Sequence, residues 1–269
     1  MSARYLTRAV LSNLESRLTA RDYAVIQQLS SLRFLSGSQL TRLCFSDSDD
    51  ITANARAARR QLLRLTRLDV LGRLPRQIGG VRAGSAGYVY HLGLAGQRLA
   101  ASRHGQPERR WRRSFAPGLL FLRHSLQVAE LHTQFVEAER SRRFELLELV
   151  AEPSCWRSVD GLGHQRAVLK PDSYVRLGVG DYEHSAFIEV DLATEGSRAL
   201  ERQLRAYVAY HASGQEQTAH GVFPRVVWLT PSAERTSVIE ACIGRAAATH
   251  RELFQVTLFP EAIAALAGD

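Results

Sequence analysis

Three carboxylates and a lysine in the second half of the chain have the types and spacing of a phosphodiester-cleaving centre. Lys170-Pro171-Asp172 opens a β-pattern, and 17 residues beyond Asp172 a second one reads Phe187-Ile188-Glu189-Val190-Asp191-Leu192. A carboxylate at the start of one strand and another on its neighbour would converge on a hard cation, Mg²⁺ or Mn²⁺. That cation would activate water and neutralise charge at a phosphate. Alternation along a strand puts Glu189 and Asp191 on one face. Lys170 is the single lysine of the chain, the other 34 of its 35 basic residues being arginine. A mechanism that needs a titrating amine therefore has only Lys170, because arginine stays protonated at any usable pH. On an extended strand Lys170 and Asp172 would share a face, although Pro171 between them perturbs that geometry. Arg198 and Arg202, on the helical pattern that follows, suit a phosphate but are poor bases.

Pro171-Asp172 followed by Glu189-Val190-Asp191 resembles the PD-(D/E)xK phosphodiesterase signature. The departure is at the third position, where the signature has a lysine and this chain has Asp191. Two clustered carboxylates can still bind a metal, or mutual repulsion can keep one protonated. Two readings therefore stay open. One is a Mg- or Mn-dependent DNA nickase or endonuclease with Asp172 and Glu189 as metal ligands and Asp191 and Lys170 beside them. The other is a degenerate nuclease-like domain kept for binding or dimerisation, which needs no cofactor, and this is the expectation.

The elements that would hold these residues follow an α/β order. A long helical pattern spans Leu119 to Arg140, and β-like runs follow at Phe144–Val150, Val168–Leu177, Ala186–Leu192 and Val222–Leu229. Helical patterns at Ser197–His211 and Ser232–His250 flank the last of these, and Leu253–Leu258 reads as a final short strand before a C-terminal turn of helix. A mixed central sheet is expected.

The first half differs in charge. Met1 to Arg143 holds 24 arginines against 10 acidic residues, whereas Phe144 to Asp269 has 11 basic residues against 17 acidic ones. A basic module beside an acidic one points to a polyanion partner, here double-stranded DNA. Thr19 can cap a helix through Leu32, Ser38 a second short helix, and the acidic run Asp47-Ser48-Asp49-Asp50 leads a third. Along the third, Ile51, Ala55, Ala58, Leu62 and Leu65 form an apolar stripe, and most of the remaining positions are donors. Two β-patterns around a Gly-rich turn follow. Three helices and a hairpin make the layout of a winged helix-turn-helix. Thr52, Asn54, Arg56 and Arg59 would then meet base edges, and Arg60, Arg64 and Arg67 phosphates. Arg76 and Arg82 on the wing would reach backbone or minor groove.

The expected organisation is a winged helix-turn-helix over residues 1–100, an Arg-rich linker over 101–118 and a PD-(D/E)xK-like domain over 119–269. Cys44, Cys155 and Cys242 form no CxxC pair, so free thiols are expected rather than zinc or disulfides. His124 and His132, eight residues apart on the long helix, read as packing residues. Gly178-Val179-Gly180-Asp181 lacks phosphate-loop spacing and reads as a hairpin turn. No Ser/His/Asp grouping, Walker loop or dinucleotide fingerprint occurs. No apolar run approaches a membrane span and the N-terminus has no signal-peptide pattern, so a cytoplasmic location is expected.

Several stretches together carry a wider resemblance. They are Leu122-Arg-His-Ser-Leu-Gln-Val, Pro171-Asp-Ser-Tyr-Val, Phe187-Ile-Glu-Val-Asp-Leu-Ala-Thr-Glu-Gly and Gln203-Leu-Arg-Ala-Tyr-Val-Ala-Tyr. With the winged-helix pattern ahead of them, the chain resembles the replication-relaxation family of bacterial plasmids and integrative elements. The resemblance implies DNA binding in replication, transfer or transcriptional control, and makes Asp191 a family trait. A dimeric repressor is a further alternative, since winged-helix proteins often read paired half-sites.

Overall fold

The computed structural model describes residues 6–74, 87–103, 117–160 and 166–267. Arg76, Arg82, the Gly-rich turn and residues 104–116 of the expected linker lie outside them. The fold is α+β, and the residues group into two compact units, Met1–Thr133 and Gln134–Asp269.

The first unit opens with α1 (Arg8–Glu15) and α2 (Ala20–Leu32). Thr19 caps α2 in a capping box: its hydroxyl accepts from the Asp22 N–H, and the Asp22 carboxylate accepts from the Thr19 N–H at 2.8 Å. A two-residue strand β1 (Leu35–Ser36) leads into α3 (Gly37–Cys44). Ser36, not Ser38, caps α3, because Gln39 stands three residues on and completes a second capping box. Helix α4 (Ile51–Arg67) starts at Asp50, whose carboxylate accepts from the N–H groups of Thr52 and Ala53. Strands β2 (Leu71–Arg73) and β3 (Val89–Leu92) pair antiparallel, and β1 adds to β3 in the order β1-β3-β2. Helix α5 (Leu94–Arg103) follows, and α6 (Leu119–Arg140) contains the division between the units. Gly96 lets α5 approach the chain closely: a Cβ there would lie 2.1 Å from the Val70 carbonyl oxygen. Val25, Leu29, Leu40, Leu62, Leu65 and Leu99 are buried in this unit.

The second unit is built on a five-stranded mixed sheet, β10-β9-β8-β7-β4. Its strands are β4 (Glu145–Ala151), β7 (Ser173–Val179), β8 (Tyr182–Val190), β9 (Arg225–Thr230) and β10 (Phe254–Leu258). β4, β7 and β8 run antiparallel in sequence, while β8, β9 and β10 are parallel. A separate hairpin joins β5 (Arg157–Asp160) to β6 (Arg166–Leu169). The expected single strand Val168–Leu177 is thus two, broken at Lys170-Pro171-Asp172. Helices α7 (Ser197–Ser213), α8 (Gln215–His220), α9 (Ala233–Ala246) and α10 (Ala262–Ala267) complete the unit, with 3-10 turns at Ala248–Leu253 and Phe259–Glu261.

Leu200, Leu204 and Tyr207 of α7 and Ile239, Cys242 and Ile243 of α9 pack with Phe187, Val226 and Trp228 of the sheet. Ile188 and Val190, which alternate to the other face of β8, are buried as well. A β-strand buried on both faces reads as a continuous apolar run, which makes Glu189 in its middle conspicuous. The turn expected at Gly178–Asp181 joins β7 to β8, with Gly180 left-handed at φ 56°. No helix among the described residues is long and apolar enough to cross a membrane.

Candidate functional site

In the first unit, α4 buries Ala58, Leu62 and Leu65 and turns its other side outward. Thr52, Ala53, Arg56, Arg59, Arg60, Leu63 and Arg67 are exposed. Arg56, Arg59, Arg60 and Arg67 make no ion pair among the described residues, and Arg59 Nε lies 3.1 Å from the Ala55 carbonyl oxygen. Asn54 and Arg64, also expected at DNA, have side-chain partners within the unit. Asn54 donates its amide to the Ser48 carbonyl at 2.6 Å. Arg64 pairs with the buried Asp22, which also accepts from Gln61 at 2.7 Å. Burial raises the Asp22 pKa, but hydrogen bonds from the Thr19 N–H, Arg64, Gln61 and the Thr19 hydroxyl outweigh it and hold the carboxyl below its ordinary range. This cluster ties the start of α2 to the middle of α4, and so fixes the pose of the arginine face.

In the second unit, the β-ladder brings the carboxylates together. Asp172 precedes β7 and its N–H donates to the Ile188 carbonyl at 3.1 Å, while its carboxylate accepts from the Val190 N–H at 2.7 Å. Glu189 is 4% exposed on β8 and Asp191 lies just beyond the strand, its N–H donating to Leu229 at 2.9 Å. Tyr207 of α7 donates its hydroxyl to Glu189, and Gln203 one turn earlier also hydrogen-bonds it. Burial drives the Glu189 pKa well above the ordinary carboxylate value, and the nearby Asp172 charge adds to it against the bonds from Tyr207 and Gln203. Burial and the Asp172 charge thus both favour the protonated form of Glu189.

Asp191 is paired with a cation. One oxygen accepts from the Ala193 N–H; the other faces Arg235 of α9, with Nε at 2.7 Å and a terminal nitrogen at 2.6 Å. Arg235 also donates to the Glu195 carbonyl at 2.9 Å, and Ala193 adopts a left-handed φ of 58° in this turn. Lys170 is exposed with its ammonium 4.9 Å from the centre of the Trp156 ring, a cation–π contact. With Arg202 and Gln203 it lines an open recess of about 300 Å³. Cys155 donates its thiol to the Pro171 carbonyl at 3.0 Å, and burial pushes its pKa up to about 12. The thiol is an anchor for the Lys170-Pro171-Asp172 turn rather than a nucleophile.

These carboxylates do not fit a divalent cation as they stand. A hard cation needs oxygens free to turn towards it, whereas Tyr207 and Gln203 bond Glu189 and both Asp191 oxygens meet donors. No group of three or more His, Cys, Asp or Glu among the described residues could hold a metal ion. On α6, His132 is buried, which pushes its imidazole down to about 3 and keeps it uncharged.

Sequence reasoning assigned no role to Gln203, Tyr207 or Arg235. The four-residue spacing of Gln203 and Tyr207 marks one helix face, but only the fold shows that the face meets Glu189.

The replication-relaxation profile matches residues 26–226, which take in α3, α4, the three acidic positions Asp172, Glu189 and Asp191, and Tyr207. The chain belongs to the replication-relaxation family. A comparison with curated proteins found no match. For this replication-relaxation protein the matched span runs through both units, from within α2 into β9.

Proposed function

We propose that this replication-relaxation protein binds duplex DNA through its first unit, a winged helix-turn-helix with α4 as the recognition helix and β2–β3 as the base of the wing. The second unit, in this reading, is a PD-(D/E)xK-like domain that does not cut. Its setting is a plasmid or other mobile element, in replication, transfer or transcriptional control.

The observation that carries the reading is the face of α4: Thr52, Arg56, Arg59, Arg60 and Arg67 are exposed while the opposite stripe is buried. Donors near the helix start suit base edges, and the arginines further along suit phosphates. For the second unit, support comes from the order Asp172, β7, β8 with Glu189, then α7, together with the donors that already engage Glu189 and Asp191. A homodimer on paired half-sites goes with this reading, and light scattering with and without DNA reads it.

One experiment tests both units. Supercoiled DNA is incubated with wild type, Lys170→Ala, Asp172→Ala and Glu189→Ala in Mg²⁺ or Mn²⁺, and each protein is also assayed for duplex binding. Binding without cleavage is expected throughout. Nicking by wild type that Asp172→Ala abolishes would replace the non-cutting reading with a metal-dependent nickase, and absence of duplex binding would remove the winged-helix reading.

A further inference from the structure

β10 ends the five-stranded sheet, and no strand among the described residues pairs with its outer side. The Thr257 carbonyl accepts from the Thr230 hydroxyl of β9 at 3.1 Å, so Thr257 turns its backbone groups towards β9. Alternation then turns those of Phe254, Val256 and Leu258 outward. Two of these groups are taken locally. The Phe254 N–H donates to the Arg251 carbonyl, and the Leu258 carbonyl caps the turn Phe259–Glu261. The Phe254 carbonyl, the N–H and carbonyl of Val256 and the Leu258 N–H are left facing out.

An antiparallel copy of the same strand meets that set group for group. On a two-fold axis at Val256, each Val256 N–H faces the other Val256 carbonyl, and each Leu258 N–H the other Phe254 carbonyl. The Phe254 N–H and Leu258 carbonyl, which the same pairing sets opposite each other, are the two already satisfied. Side chains match as well: Phe254 falls beside Leu258, Val256 beside Val256 and Gln255 beside Thr257. Carried into the flanking turns, the register brings Arg251 opposite Glu261. Both are exposed, and Arg251 makes no ion pair among the described residues. Glu261 is held beside the strand by the Thr257 hydroxyl, which donates to it at 3.0 Å.

The opposite edge of the sheet is protected. β4 has a bulge between Leu146 and Glu148, and pairing with its own copy about Glu148 would set carboxylate against carboxylate. β10 carries no charge and no proline, and its register with β9 is unbroken, so it lacks the devices that keep edges apart.

We infer that β10 is a dimer contact: two copies join antiparallel along this strand, and their sheets run on as one across the two-fold axis. The inference rests on the homodimer of the reading above and names the surface that makes it.

Sedimentation equilibrium of the full chain, with and without duplex, measures the dimer dissociation constant for wild type, Val256→Pro, Arg251→Glu and Arg251→Glu with Glu261→Arg. Val256→Pro deletes an N–H that β9 does not use, a position where edge strands accept proline. It removes both bonds at the axis, each worth about fivefold, so the dimer should weaken about twenty-fivefold. Arg251→Glu should weaken it about threefold, and the double reversal should restore it. Thermal melts check that each variant is folded; should Val256→Pro unfold, the exposed Arg251 and Glu261 decide alone. A dimer that no folded variant weakens overturns this contact and leaves the homodimer to another surface. A wild type that stays monomeric at tens of micromolar, with duplex and without it, overturns the contact together with the homodimer.

Discussion

Arg235 grips a single carboxylate oxygen of Asp191 with two nitrogens, at 2.7 and 2.6 Å, and both side chains are nearly out of solvent. The position that a nuclease signature fills with a cation is thus occupied by an anion that borrows its cation from α9. Removing one partner leaves a buried charge uncompensated, whereas replacing both with apolar groups does not. Arg235→Ala should lower the stability of the second unit by about 3 kcal/mol. Arg235→Met with Asp191→Leu should lose much less, and a double-mutant cycle in urea measures the difference.

Glu189 gives a pH dependence of opposite sign to that of most acids. Its folded pKa is raised, so above the unfolded value the folded state holds a proton that the unfolded chain has released. Stability then falls as pH rises from the unfolded pKa towards the folded one. Glu189→Gln keeps a neutral acceptor for Tyr207 and removes the titration. The variant should match wild type near pH 4 and melt higher near pH 8, which calorimetry at the two pH values reads.

Asp22 runs the other way. Its folded pKa is depressed, so its stabilisation is complete above the unfolded value near 3.8 and is lost as pH falls through the lower folded value. Asp22→Asn should cost the first unit about 2 kcal/mol at neutral pH, through the lost charge-assisted bonds to Arg64 and Thr19. It should also remove that unit's acid transition, seen in the circular dichroism of α2 and α4 below pH 4.

The arginine face predicts a salt signature. Each phosphate contact removed should shallow the slope of log affinity against log salt by about 0.9. Arg60→Ala and Arg67→Ala, phosphate contacts in this reading, should weaken binding alike on all duplexes. Arg56→Ala should relax specificity at one base pair, and anisotropy titrations across salt concentrations separate the two behaviours.

Local physics made much of this structure legible and non-local physics hid the rest. Thr19 and Asp22 close a capping box within four residues, so the start of α2 could be read directly. β1 is two residues long and exists because Leu35 and Ser36 meet Tyr90 and Val89 far along the chain. The run Val168–Leu177 looks like one strand, but its first part pairs with β5 and its second with β4 and β8, on either side of Pro171. Type and spacing point to Asp172 and Glu189, which the ladder brings close together. Gln203, Tyr207 and Arg235, which bond Glu189 and Asp191 there, come from two helices whose approach no local pattern reveals. Ile51, 81% exposed on a row whose later members are buried, shows the converse failure, since helical period assigns a face but not where the core beneath it ends.

The cysteines have a practical consequence. Cys155 and Cys242 are buried in the second unit, and Cys44 is half-buried in the first. A buried thiol reacts with an alkylating reagent only when its surroundings open, whereas a half-buried one also reacts from the folded state. The two units thus carry separate native reporters, and timed alkylation followed by peptide mapping would read the opening of the second unit and the accessibility of Cys44 in the first without any engineered label. Were DNA to slow labelling at Cys44 and leave Cys155 unchanged, the polymer's footprint would be localised to the arginine-rich unit by chemistry the chain already contains.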